Sequence, residues 1–556
     1  MDGFSGETRR PLPDSFISKE HGSPIFRQKV VMSMKNLTTS IYDFEKLRKA
    51  DYLYVDKTDY IWQLIEPPGE SYFLSRPRRF GKSLLVSTLK AIFEGKKELF
   101  QGLAIHDKPY DWKQYPVLHL DMANCDAHTE NDLRDYLARM LERHAQQHNV
   151  EVDVQPRQLA SSFSELIQKV AGTSRAVILL DEYDKPILEN ISRPDVTAIR
   201  DTLADFYSAI KAEMDYEHFV LVTGVSKFSH VSLFSKLNNL TDITLDSDYA
   251  GMLGFTEEEV RRYFADRISE AAKANGVSED TLMANVLEWY DGYRFSEADI
   301  HVCNPVSVST FFHKKCRFSN YWDSTGTPSF LLERMRRQSY DHEAALKEWY
   351  GESIFSAYEL DRLDITGLLW QTGYLTIVGV RQGTRGVKYQ LGFPDKEVRE
   401  TFCIRLLEFY GELALGTGDT LVERMQDAIM ADDLNGFLTV LQSVFANIDY
   451  KLHIRDEKYY QTIFFVVFLL LGSEIEAESC TNLGRIDAYI RTAKTVFLFE
   501  FKLDRSPDEA VGQILDRRYY EKFQGGGLPI RLVGVNFDSG KGRIDGWQEG
   551  TLASGK

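Results

Sequence analysis

At 556 residues the chain is longer than one hydrophobic core can organise, so two to four domains are expected. Its 43% apolar and 12% aromatic content is that of an ordinary soluble globular protein. An excess of 83 Asp and Glu over 66 Lys and Arg, formally −17, argues against a broad basic nucleic-acid footprint and leaves only a local basic groove open.

The first thirty-three residues lack a basic start followed by an apolar core, so a secretion signal is not expected. Their Gly, Ser, Pro and charged residues predict a disordered lead-in over 1–33. Tyr52–Val55 is a short strand candidate. Asp56-Lys57-Thr58 follows it, with Thr58-Asp59 placed to cap a helix from Tyr60.

Ser71–Thr88 (SYFLSRPRRFGKSLLVST) reads as a strand, a tight turn holding Gly81-Lys82-Ser83, and an amphipathic helix. Backbone N–H groups of such a turn, with the positive end of the helix, face the phosphates of a nucleoside triphosphate. Arg79, Phe80, Gly81, Lys82, Ser83 and Leu84 are the candidate ATP-binding residues. Lys82 is placed to reach the β- and γ-phosphates, and the Ser83 hydroxyl to ligate Mg²⁺. The full pattern is G-x-x-x-x-G-K-[ST], and Arg76 stands where its first glycine belongs. A Gly-Lys-Ser helix start also occurs without any ligand.

Val117–Asp121 is a second strand, and Glu130–His148 and Phe163–Val170 read as helices. The run Arg175–Asp184 (RAVILLDEYD) is a continuous apolar strand ending in acids, as in the centre of a parallel sheet. Carboxylates at such a strand's end sit in the crevice where α/β sheets bind ligands. Asp181 is the expected Mg²⁺-side acid and Glu182 the group that orients or deprotonates an attacking water. A solvated acidic loop is the alternative. Arg200–Met214 reads as helix and His218–Gly224 as strand. Its exit, Val225–Ser229, offers Ser226 or Lys227 to the γ-phosphate or the water, or is simply a polar loop. The alternation predicts a parallel sheet flanked by helices.

RPRRFGKSLL, preceded by Tyr54-Val55-Asp56-Lys57-Thr58 and followed by LLDEYDKPI and VTGVSKFS, resembles the bacterial and archaeal AAA-ATPase-like family. Its members commonly carry a C-terminal PD-(D/E)XK nuclease-fold domain, and the likeness runs from about Met34 to about Phe537. The resemblance makes Arg76 a family trait and implies a P-loop NTPase domain over 34–255.

A mainly helical coupling region is expected over 256–450. Thr256–Glu259 (TEEE) is a capping-box helix start. The aromatics of Trp289–Phe295 (WYDGYRF) read as core before ligand site. Leu368–Val380 and Lys388–Phe393 suggest a small hairpin, with no chemistry evident in it.

A nuclease-like domain is expected over 451–540. Its opening helix contains the most apolar run, Ile463–Leu471, far short of the ~20 residues a membrane-spanning helix needs. Two strands follow, GRIDAYI with Asp487 and TVFLFEFKL with Glu500 and Lys502. Residues i and i+2 of a strand share a face, so Glu500 and Lys502 project together while Asp487 supplies a neighbouring carboxylate. Hard oxygen ligands suit Mg²⁺, and Lys502 would position a water or stabilise developing charge. Likeness to the superfamily adds Glu478 as the upstream acid, hence a metal ligand with Asp487 and Glu500. It also adds Gln513 and Tyr519 on a helix over Pro507–Phe523, Gln513 as catalytic. An exposed hairpin with a Glu500–Lys502 pairing is the alternative. Arg485–Arg531 holds nine Lys and Arg against seven Asp and Glu, compatible with a phosphate-tracking groove. The polar, Gly-rich residues 541–556 read as a flexible tail. Five cysteines (Cys125, Cys303, Cys316, Cys403 and Cys480), odd in number and without a C-x-x-C pair, indicate neither disulfides nor zinc and point to a reducing cytoplasm.

The reading is therefore an α/β protein with an N-terminal P-loop NTPase, a helical middle and a restriction-endonuclease-like C-terminal domain. Its expected cofactors are ATP and Mg²⁺. Its expected partner is nucleic acid, DNA ahead of RNA, with no membrane and with room for a homo-oligomer. The expected activity is ATP hydrolysis coupled to Mg²⁺-dependent cleavage of phosphodiesters, by analogy in defence or mobile-element biology. The alternative is a nucleotide-dependent switch or assembly protein whose nuclease-like domain binds without cutting.

Overall fold

The computed structural model describes residues 34–67, 69–227, 239–322, 329–356, 364–446, 457–471, 475–481, 484–541 and 543–552. For 446, 457–461, 475–481, 484–487 and 551 the backbone alone is described. The lead-in expected over 1–33 lies outside these residues. From Asn36 onward the described residues belong to one compact unit, Asn36–Lys556.

The N-terminal sheet contains β1 (Ser71–Ser75), β2 (Val117–Asp121), β3 (Ala176–Asp181), β4 (Glu217–Gly224) and β5 (Thr241–Asp242). Their order is β2-β3-β4-β1-β5, and every pairing is parallel. All six residues of β3 are buried, as a strand covered on both faces requires. Alternate residues feed two cores. Tyr72, Leu74, Val177, Leu179 and Leu221 pack with Leu85, Leu89 and Ile92 of the helix Lys82–Phe93. Phe73, Leu118, Leu120, Ile178, Leu180 and Val222 pack with the helices Glu130–Gln147, Leu159–Ala171 and Val196–Ala212. β4 separates β1 from β3. The C-terminal ends of all these strands open on one edge, where open α/β sheets bind ligands.

The outer edge of β2 is sealed by one helix. Tyr136, His144 and His148 contact the carbonyls of Asp121 (3.0 Å), His119 (3.0 Å) and Val117 (3.2 Å), which a further strand would otherwise bond.

The middle region begins with a helix Glu257–Tyr263, whose capping box joins Thr256 and Glu259. Tyr290, Phe264 and Phe311 lie in its core. A three-stranded antiparallel sheet comes next: β6 (Trp349–Gly351), β7 (Thr376–Gly383) and β8 (Gly386–Gly392), ordered β6-β8-β7. The helices Lys396–Tyr410, Gly418–Met430 and Leu434–Ala446 lead on to the C-terminal part.

There β9 (Ile475–Thr481), β10 (Gly484–Arg491), β11 (Val496–Leu503), β12 (Ile530–Asp538) and β13 (Arg543–Thr551) form one sheet, ordered β13-β12-β11-β10-β9. Only β11 and β12 run parallel, joined by a crossover containing the helix Pro507–Asp516. On the other face the helix Glu457–Leu470 packs Phe464 on Phe501 (3.9 Å between centroids) and Phe468 on Phe499 (5.4 Å).

Four local expectations change. Tyr52–Val55 forms no strand; Tyr52 makes a single bridge to Asn36. Leu368 lies in a helix, Ile365–Thr372, closed by Gly373 in the left-handed region (φ 88°), so the hairpin starts only at Thr376. The helix from Pro507 stops at Asp516; Arg518, at φ 50°, breaks it before a 3₁₀ segment Tyr519–Gly526. The polar tail is mostly the edge strand β13, held by Ile544 in the core and an Arg531–Glu549 ion pair (2.7 Å). An edge strand with one wet face carries few apolar residues, which is why it reads as loose.

Candidate nucleotide and nuclease sites

The turn after β1 forms the first site. Gly81 caps the helix Lys82–Phe93 in the left-handed region (φ 95°), a conformation that favours glycine. Arg79 is left-handed too (φ 68°). The Lys82 ammonium is buried and donates to the carbonyls of Arg76 (2.8 Å) and Pro77 (2.9 Å). Burial lowers its pKa, while Glu182, Asp181 and Asp184 pull the other way.

Arg76 replaces the missing glycine with a buried anchor. Its guanidinium donates to the carbonyls of Ser75 (2.9 Å) and Thr244 (2.7 Å) and lies 4.3 Å from the centroid of the Phe295 ring. Burial pulls its pKa down to about 9. The rest of the turn is also held by the middle region. Phe80 packs edge-on against Tyr293 (4.7 Å) and Phe295 (5.3 Å), so the WYDGYRF aromatics are core that grips the turn. A Cβ on Gly373 would come within 2.7 Å of Pro77. The pKa of the buried Glu397 carboxyl is raised by burial, while the charge of Arg79 opposes that rise.

The acids arrive from β3. Asp181 accepts from the Thr223 hydroxyl (2.6 Å) and from the Glu182 amide (3.0 Å). Glu182 is half-buried at φ 53°; burial raises its pKa and Lys82 opposes that. Asp184 is fully buried and accepts from the amides of Val225 (3.1 Å) and Ser226 (2.6 Å) and from the Ser226 hydroxyl (2.6 Å). This staple brings β4's exit against the acidic turn. It requires Gly224, where a Cβ would lie 2.5 Å from the Tyr183 ring. Ser226 therefore stands in the site with its hydroxyl committed to Asp184. Lys227 is ion-paired with Asp242, and Phe228 and Ser229 lie outside the described residues. Thr223, Asp184 and Thr244 are the neighbours of the candidate site that motif spacing did not announce. The third acid of DEYD was the one available signal.

Beside the turn lies a cavity of about 130 Å³. Arg79, Phe80, Gly81 and Leu84 form one wall, Thr38, Thr39, Ile41, Tyr42 and Val55 another, and Leu253 to Phe255 a third. Lys57 borders it and ties two walls together, donating to the Gly251 carbonyl (2.7 Å) and to Glu259 (2.6 Å). The helix starts at Thr58 itself, so Thr58 and Asp59 lie inside it and neither caps it; Asp56, just before the N-cap Lys57, accepts from the Thr58 amide (2.9 Å) and the Ala104 amide (2.8 Å).

The second site lies on β11. Glu500, buried, accepts from Lys502 (2.9 Å) and from Gln513 of the helix Pro507–Asp516. Three of the expected residues thus meet. The pair Ile486–Ser479, followed by Ala488–Ala477, sets Asp487 opposite Glu478 on the backbone. The register of Ala488 with Phe499 carries Asp487 to the level of Glu500. Glu478, Asp487 and Glu500 therefore occupy one row across β9, β10 and β11. The side chains of Glu478 and Asp487 lie outside the described set, and among the described residues no group of three metal-ligating side chains occurs. Tyr519 is buried in the apolar cluster with Leu498 and Leu532, a core residue.

The donor chemistry fits the expected groups. Ser83 and Asp181 offer hard oxygens beside a buried ammonium, and Glu500 offers one beside a second ammonium and an amide. A nucleotide-binding turn on a parallel sheet, joined to a mixed sheet bearing E-x-K, defines a P-loop protein with a nuclease-like domain. Comparison with known proteins agrees. Residues 38–234 match the family described as predicted AAA-ATPase, and residues 455–547 match the PD-(D/E)XK nuclease superfamily. An uncharacterized protein in the vnfD 5′ region of Azotobacter chroococcum mcd 1 is 37% identical over 522 residues, covering 91% of this chain and 97% of that one. The chain belongs to the AAA-ATPase-like family with a C-terminal PD-(D/E)XK nuclease superfamily domain.

Proposed function

We propose that the chain binds and hydrolyses ATP at the first site and cleaves nucleic-acid phosphodiesters at the second. One observation carries this reading: two buried, lysine-bearing carboxylate clusters, around Lys82 and around Glu500, stand on separate sheets of one chain. Mg²⁺ at the two sites would neutralise phosphate charge and lower the pKa of bound water.

Lys82 would exchange the Arg76 and Pro77 carbonyls for β- and γ-phosphate oxygens. Ser83 and Asp181 would hold the metal. Arg79 to Leu84 would frame the nucleotide, with its base directed to the adjoining cavity. Glu182, with its raised pKa, would take the proton of the attacking water. Ser226 would act through Asp184, by fixing the exit of β4. In the second site Glu478, Asp487 and Glu500 would hold the metal, Lys502 would stabilise the charge developing on the phosphorane-like oxygens, and Gln513 would orient Glu500. The fusion suits defence against foreign nucleic acid or mobile-element movement, and a cytoplasmic setting.

The test is cleavage of supercoiled plasmid and labelled single strands with Mg²⁺, with and without ATP. Lys82→Ala is expected to lose ATP binding. Glu500→Ala is expected to lose cleavage and keep ATP binding. Equal cleavage by wild type and Glu500→Ala would remove the nuclease assignment. A second reading, a nucleotide switch whose C-terminal sheet binds without cutting, is favoured by the grip of Phe295, Tyr293 and Gly373 on the turn. Nucleotide-dependent assembly with no cleavage under any condition would select it.

A further inference from the structure

The small sheet β6-β8-β7 has two unlike faces. Tyr389 and Leu391 point into the core, and Tyr389 packs on Phe355 at 4.9 Å. The register shows what lies on the other face. Trp349, Gln390 and Gly379 form one row; Gly351, Lys388 and Arg381 form the next. The glycines leave room for the long side chains. A Cβ on Gly379 would lie 3.1 Å from Trp349, and one on Gly351 would lie 3.6 Å from the Lys388 ammonium.

Arg381 and Lys388 are directly opposite each other, and like charges in that position destabilise a sheet. No acid among the described residues forms an ion pair with either of them, although Glu352 follows Gly351 at the end of the neighbouring strand. Within that set Arg381 makes only a stacking contact, 4.1 Å over the Trp349 ring, and neither Lys388 nor Arg385 at the exposed hairpin tip has an ion-pair partner. The sequence contains no Asp or Glu from 365 to 394, although the whole chain carries an excess of seventeen acids. A guanidinium stacked on an aromatic ring is held flat with its N–H fork free for a phosphate.

We propose that this outward face binds the phosphodiester backbone of the nucleic acid on which the C-terminal sheet acts, with Arg381 and Lys388 on phosphates and the Trp349–Arg381 stack against a base. The surface rests on the reading of that sheet as a nuclease. The helix His342–Lys347 that leads into β6 packs on β8 and on the helix Glu457–Leu470, which covers the face of β11 opposite Glu500, so the nucleic acid would have to pass around the sheet edge to reach both. The flat aromatic stack favours nucleic acid over an acidic peptide, which has charge without base planes.

The experiment is fluorescence anisotropy of a labelled single strand and a duplex with the full chain in EDTA, from 50 to 300 mM salt. Arg381→Gln with Lys388→Gln is expected to weaken binding about tenfold or more and to flatten the log–log salt slope by about 1.4–1.8, two phosphate contacts. Trp349→Ala is expected to weaken the single strand more than the duplex. ATP binding and melting temperature serve as fold controls. Unchanged affinity and slope overturn the proposal. So does a wild type that binds no nucleic acid at 50 mM salt, or one that prefers polyglutamate. A chain that binds through this face and never cuts removes the nuclease reading alone; one that cuts while the variants bind as tightly removes this surface alone.

Discussion

At Glu182 the backbone adopts φ 53°, a conformation that costs a non-glycine residue roughly 1–3 kcal/mol and persists only where neighbours enforce it. The enforcing contacts are Asp181, which accepts its amide, and the Asp184 staple two residues on. The carboxylate is thereby held near Lys82 with a raised pKa. On the proposed role, in which the ionised form would take the water's proton, ATP turnover is expected to rise with pH through a limb lying above the ordinary 4.5. Glu182→Gln should abolish turnover and leave ATP affinity within about threefold; turnover within tenfold of wild type would take Glu182 away from the water. Glu217, at the start of β4, has no such task. Burial, reinforced by Glu213, pushes its pKa up to about 8. Between pH 4.5 and 8 the native state keeps a proton that the unfolded chain releases, so this group's contribution to stability falls as pH rises. Glu217→Gln does not titrate. Its advantage over wild type in urea unfolding should widen by about 1.4 kcal/mol per pH unit across that window. A gap that stays constant from pH 5 to 8 would contradict the burial argument.

At the scale of elements, the nucleotide-binding turn belongs to two regions at once. β1 and the helix Lys82–Phe93 anchor its ends, and Phe295, Tyr293 and Gly373 of the middle region clasp Arg76, Phe80 and Pro77. Gly373→Val places a side chain at φ 88° and against Pro77, and is expected to destabilise the fold by about 2–4 kcal/mol and to weaken ATP binding at least fivefold. Gly386→Ala is the control: its φ is 99°, but nothing lies within 4 Å of the new Cβ. It should show the backbone strain and leave ATP affinity unchanged. If both variants bind ATP alike, the clasp has no bearing on the nucleotide.

For the whole molecule, bound nucleotide should stabilise by mass action, by about 2.7 kcal/mol at a hundredfold excess over Kd. Differential scanning calorimetry with ATP and Mg²⁺ is expected to show this rise in wild type and Glu500→Ala and to lose it in Lys82→Ala. A rise that survives Lys82→Ala would place the nucleotide elsewhere. No helix among the described residues is long and apolar enough to cross a membrane, in line with the short apolar run of the helix that backs β11.

Local pattern was enough to find β1, β2, β3 and β4, the Gly-Lys-Ser turn, the acidic strand end and the E-x-K strand. Burial on both faces, the needs of a helix terminus and the two-residue strand period each act within a few residues. Tertiary structure decided what those rules cannot reach. It alone inserts β4 between β1 and β3, turns Asp184 into the staple for Ser226, and converts Arg76 from a broken motif into an anchor on Thr244 and Phe295. It also recovers β13 from a polar tail and brings Gln513 to Glu500. The β4 insertion, the Asp184 staple and the Arg76 anchor depend on partners tens to hundreds of residues away, where spacing along the chain carries no information about distance in space.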